Sequence, residues 1–86
     1  MNNIREQIRT FILTTFMEGA DADSLQDDTS LERAHSVDSA GMLEIILFIE
    51  ENYGFSVDND DATPENFDTI DAMTSYVERK RAELGL

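Results

Sequence analysis

The segment from Ser39 to Gly54, SAGMLEIILFIEENYG, constrains the fold more than any other part of the chain. At about 100° per residue, Met42, Ile45, Ile46, Ile49 and Tyr53 fall on one side, the apolar stripe of a helix laid on a core. Gly54 supplies the left-handed residue that ends such a helix, so the spacing predicts one from about Ser39 to Tyr53. The same period occurs twice more. Ile4, Ile8, Phe11, Ile12 and Phe16 share one face of a first helix, with Asn2 or Asn3 to cap its start and Gly19 soon after its end. Ile70, Met73, Val77 and Leu84, with Tyr76 beside them, form the apolar face of a last helix that opens at Asp68 or Thr69. Asp71 is placed there for a capping-box-like role, and Arg79, Lys80 and Arg81 near the far end complement the helix dipole. Between them, Thr63-Pro64 reads as a cap followed by proline at the first helical position, carrying Phe67 inward. No segment alternates with the period of a strand, and no two-residue hairpin turn occurs.

The expected fold is therefore all-α, a single domain over residues 1–86. It is a small bundle of three main helices plus one short helix, with a long loop between helices 1 and 2. Eighty-six residues suffice for one modest core. The long connection, EGADADSLQDDTSLERAHSV, is unusual, because structureless loops beyond about 12–15 residues are rare in compact domains. Its isolated apolar residues Leu25, Leu31 and Val37 are spaced to pin it to the core.

Charge narrows the function classes. There are 19 acidic residues against 6 basic, a formal net charge of -13. From Glu18 to Asp71 the single base is Arg33, and the other bases lie near the two ends. An acidic middle repels phosphate backbones, so no nucleic-acid partner is expected. It either steers the chain toward partners with basic patches or simply keeps a small protein soluble. The absence of cysteine removes disulfides, thiolate metal sites and a cysteine nucleophile. The first residues, MNNIREQIRTFILTTF, carry charges through their apolar stretch and do not read as a secretory signal, and no run approaches a membrane span. A cytoplasmic monomer without membrane contact is expected.

Within the second helix, Leu43 and Leu47 fall outside the core stripe, one turn apart, beside Glu44, Glu50 and Glu51. Phe48 is also off-centre. Two readings fit. The leucines are apolar knobs for a partner with a greasy groove and a basic rim, or the long loop folds over them. The Asp38-Ser39 pair at the helix start is similarly open. Both residues are favoured starters of helices, and a helix N-terminus also suits a phosphate group.

The order of these features resembles the acyl carrier protein family over nearly the whole chain. The likeness includes the amphipathic first helix, the loop with LQDDTSLER, then VDSAGMLEIILFIEENYGF, SVDNDDATPENFDTI and a last helix ending in YVERKRAEL. The resemblance implies 4'-phosphopantetheine, derived from coenzyme A, attached covalently to Ser39, with Asp38 assisting recognition by the phosphopantetheinyl transferase. It implies that Leu43, Glu44, Leu47, Glu50 and Glu51 face partner enzymes, among them an acyl-loading ligase or synthase with a basic docking patch. The cargo, an acyl or aminoacyl group, would travel as a thioester on the cofactor's thiol, as in fatty acid or polyketide biosynthesis. Met42, Ile46, Phe48 and Ile70 are candidates to line a cargo pocket, although such residues at helical spacing also read as ordinary core. Ala40 and Gly41 depart from housekeeping carriers, which usually place leucine and then an acid after the serine. Glycine here costs up to about 1 kcal/mol in helix propensity relative to alanine; it also removes a charge and is expected to open room beside the arm. This pattern looks more like stand-alone carriers that serve adenylate-forming ligases in specialised pathways.

Other chemistries are weaker. His35 precedes Ser39 by one helical turn's worth of residues, but no GxSxG-type motif accompanies it. The acid clusters DADSLQDD and DNDDATPE lack the turn glycine of a calcium loop, with Gln26 or Thr63 in its place, so no dedicated metal site is expected. No base, nucleophile and orienting group are paired, so an enzyme acting alone is not expected. The competing class is an acidic helical adaptor or regulatory module without a prosthetic group, in which Ser39 is only a cap.

Overall fold

A computed structural model describes residues 3–17, 25–33 and 37–86. Among these, four α-helices occur and no strand: α1 (Ile4–Phe16), α2 (Ser39–Tyr53), α3 (Pro64–Phe67) and α4 (Ile70–Leu84), with a 3₁₀ turn at Asn59–Asp61 before α3. This is the small all-helical bundle of an acyl-carrier-protein-like fold. Expectations for Asn2, Gly19 and His35 fall outside the described residues.

Local chemistry explains the boundaries. Asn3 caps α1, its side chain accepting from the Glu6 N–H at 2.8 Å. Asp38 caps α2 by accepting from the Gly41 N–H at 2.8 Å, and Gly54 ends it at φ 78°. Pro64 takes the first position of α3, where its missing N–H costs nothing. Thr69 caps α4 by accepting from the Ala72 N–H at 3.0 Å. Asp71 does not complete a capping box: its carboxylate pairs with Arg5 of α1, a charge that outcompetes the local N–H groups.

The core gathers Ile8 and Ile12 from α1, Ile45, Ile49 and Tyr53 from α2, Phe67 from α3, and Ile70, Met73, Tyr76 and Val77 from α4, with Phe55 from the α2–α3 connection. Tyr76 is fully buried rather than beside the stripe, and its hydroxyl donates to Asp61 at 2.9 Å, tying the 3₁₀ turn to α4. Leu84 departs from the expected face. It is 56% exposed, because α4 runs about 10 Å past Val77 at ~1.5 Å per residue and outlasts its partners.

The described part of the long connection is built into the core. Leu25 and Leu31 are fully buried and Val37 is half-buried against the core. Polar staples hold it there. The Leu31 N–H donates to the Asp68 carbonyl at 2.9 Å, while the Asp68 carboxylate accepts from the Ser30 hydroxyl at 2.5 Å and the Glu32 N–H at 3.0 Å. The Asp71 N–H donates to the Asp27 carbonyl at 2.9 Å. Asp27 pairs with both Arg5 and Arg9, and Arg9 also donates to the Leu25 carbonyl at 2.7 Å. The bases of α1 are thus spent on fastening the loop, which leaves the middle of the molecule acidic.

Candidate functional site

Ser39 is the first residue of α2 and is exposed. Its neighbour Asp38 is extended at φ -97° and ψ -172°, and the turn closes when the Met42 N–H meets the Asp38 carbonyl at 2.9 Å. Asp38 caps through one carboxylate oxygen; the N–H groups of Ser39 and Ala40 have no partner among the described residues. The Ser39 hydroxyl therefore stands at the positive end of a four-turn helix, beside N–H groups that have no partner among the described residues, a setting that suits an esterified phosphate.

A groove of about 360 Å³ opens beside it. Val37, Met42, Ala62 and Pro64 give it apolar walls, and Glu32, Asp38 and Asp68 make its rim acidic. The sequence signalled Met42 here but not Thr63 or Pro64, which the loop after α2 brings back toward the serine. The four pocket candidates do not share this groove. Met42 lines it, Ile70 is wholly in the core, and Ile46 is half-buried against that core. Phe48 lies on the α1 side, stacked on Phe11 at 4.2 Å between centroids.

Gly41 also differs from expectation. An added Cβ there would lie 2.9 Å from Phe16 Cε1 and 3.0 Å from Val37 Cγ1. The missing side chain does not leave room beside an arm; Phe16 and Val37 fill it.

On α2, Leu43 is 63% and Leu47 55% exposed, so the described loop does not cover them. Glu44 and Glu51 are exposed beside Leu47, and with Phe11, Thr15 and Phe48 they line a shallow depression of about 270 Å³ between α1 and α2. The sequence placed Phe11 on the core face of α1 and did not signal Thr15, although the off-centre place of Phe48 pointed to this side. Glu50 is half-buried and its carboxylate accepts from the Val57 N–H at 2.8 Å, which fastens the chain leaving α2.

The chain as a whole has a counterpart among known proteins. A probable acyl carrier protein, PigG of Serratia sp. (strain ATCC 39006), is 28% identical over 79 residues, covering 92% of this chain and 90% of that one. The chain resembles acyl carrier proteins along almost its whole length. No family model matches it. The similarity supports a carrier role. Among the described residues no helix is long and apolar enough to cross a membrane.

Proposed function

We propose that this protein is a non-catalytic carrier, bearing 4'-phosphopantetheine on the Ser39 oxygen and presenting an acyl or aminoacyl thioester to partner enzymes. The observation that carries the reading is the exposed Ser39 at the capped start of α2, in a chain similar over 92% of its length to a probable acyl carrier protein. The residues present fit the group. The hydroxyl is accessible, the first-turn N–H groups can meet a phosphate, and the groove past Met42 and Pro64 offers apolar contact for the base of a flexible arm. The arm supplies the thiol that holds the cargo, and the chain itself has no cysteine to compete with it.

Leu43 and Leu47, flanked by Glu44 and Glu51, form the face offered to the phosphopantetheinyl transferase and to a loading enzyme with a basic patch. Glu50 contributes charge to that face from a position fixed by Val57. The Ala40-Gly41 start of α2 favours a stand-alone carrier of a specialised pathway, loaded by an adenylate-forming ligase.

The test is the state of the Ser39 peptide in protein isolated from the cells that make it. A phosphopantetheine adduct there, with a further hydroxylamine-sensitive mass from the cargo, is the expected result. A Ser39 peptide that stays bare throughout growth, while the protein co-purifies with a partner, would support an adaptor without a prosthetic group.

A further inference from the structure

Gly41 is the third residue of α2, and its glycine identity has a steric cause. Among the described residues the positive-φ glycines are Gly54 and Gly85, so Gly41 has no need of the left-handed region. What it provides is closeness. It is buried, and a Cβ would meet Phe16 Cε1 at 2.9 Å, Val37 Cγ1 at 3.0 Å and Asp38 Oδ1 at 3.3 Å. The ring of Phe16, the last residue of α1, sits in the notch that the absent side chain leaves.

That ring is itself held. Phe11 meets it edge-on, with centroids 6.0 Å apart at 81°, and Phe11 is stacked on Phe48 at 4.2 Å and 18°. A line of aromatic contacts thus runs from the middle of α2 along the end of α1 and back to the first turn of α2. It ends on the residue whose N–H anchors the Asp38 carboxylate. Ring packing of this kind has fixed geometry, so the ring sets how far the Asp38–Ser39 turn lies from α1.

We propose that Phe16 is a positioning residue for modification of Ser39: its ring, seated in the Gly41 notch, fixes the turn that presents the Ser39 hydroxyl to the phosphopantetheinyl transferase. The inference rests on the carrier reading above. Leu43 and Leu47, the proposed transferase face, lie away from the notch, so disturbing it changes the presentation of the hydroxyl and leaves encounter intact.

The experiment measures initial rates of Ser39 modification with coenzyme A and a broad-specificity phosphopantetheinyl transferase. It compares wild type, Gly41→Ala, Phe16→Leu and the double variant, each checked for helicity by circular dichroism. Gly41→Ala is expected to lower kcat at least fivefold with KM within twofold of wild type. Phe16→Leu alone lowers it about threefold by removing the backstop, and the double variant returns to within twofold of wild type because the smaller side chain makes room for the new Cβ. A folded Gly41→Ala with wild-type kcat, or a double variant as slow as Gly41→Ala, overturns the inference while leaving the carrier reading standing. Should Gly41→Ala fail to fold, Phe16→Leu decides: Ile8 and Ile12 still hold α1 to the core, and an unchanged kcat overturns the inference. An unmodified wild type overturns both readings together.

Discussion

Replacing Leu31 by alanine tests whether the long connection is core or covering. The Leu31 side chain is fully buried, although it comes from a segment with no regular structure. Truncation removes its transfer free energy and leaves a void, which together cost about 2–5 kcal/mol for a buried leucine. The backbone on either side is held by Asp68, through the Leu31 and Glu32 N–H groups and the Ser30 hydroxyl, so the loop cannot readily collapse into the gap. We therefore expect about 3 kcal/mol within that range. A domain of this size holds roughly 4–13 kcal/mol in total, at 0.05–0.15 kcal/mol per residue. At ~4–8 °C per kcal/mol, the melting temperature should fall by about 12–24 °C. Leu43→Ala is the control, since that side chain is 63% exposed and its loss should stay within about 0.5 kcal/mol. Urea unfolding followed by far-UV circular dichroism measures both, with the slope against denaturant unchanged. A cost below ~1 kcal/mol for Leu31→Ala, or an equal cost for Leu43→Ala, would refute the placement of the loop.

Other outcomes follow from the same structure. Asp38→Ala strands the Gly41 N–H and should cost about 0.5–2 kcal/mol in a thermal melt, while slowing Ser39 modification. Leu47→Glu should leave stability in place and cofactor attachment possible but slower, and weaken docking of the loading enzyme; undiminished turnover with that enzyme would remove Leu47 from the face. Burial raises both tyrosines above the ordinary value of 10.0, opposed by Arg81 at Tyr53 and reinforced by the Asp61 hydrogen bond and the nearby carboxylates at Tyr76. The unfolded phenols ionise first, so this stability is complete below that value and drains away as pH rises beyond it. Phenolate absorbance should appear together with loss of helix signal, and ionisation near 10 with the helices intact would contradict the burial.

Features set by neighbours in sequence were legible before the structure. The span of α2 follows from Asp38 and Gly54, because a cap and a stop act within one turn, and the start of α3 follows from Pro64, although Thr63 before it makes no side-chain cap bond. The place of Ser39 at the start of α2 was legible for the same reason, whereas its reading as an attachment point rests on the resemblance to acyl carrier proteins. Features set by distant partners were not. Asp71 looked like a local cap and instead answers Arg5 on another helix. Leu84 keeps the period of α4, but a period says nothing of where the opposing helices end. The anchoring leucines of the loop could be named, whereas the Asp68 and Asp27 staples that hold them depend on residues far apart in the chain. Gly41 was misread because composition cannot tell which side of a helix a ring will fill.

The central claim is that Ser39 is an attachment point. Its most direct test is the intact mass of the folded protein before and after incubation with coenzyme A and a broad-specificity phosphopantetheinyl transferase, alongside a known carrier as positive control. The account predicts a gain of one phosphopantetheine, mapped by fragmentation to Ser39 and absent from a folded Ser39→Ala variant. A folded wild type that gains nothing while the control is fully converted would contradict it.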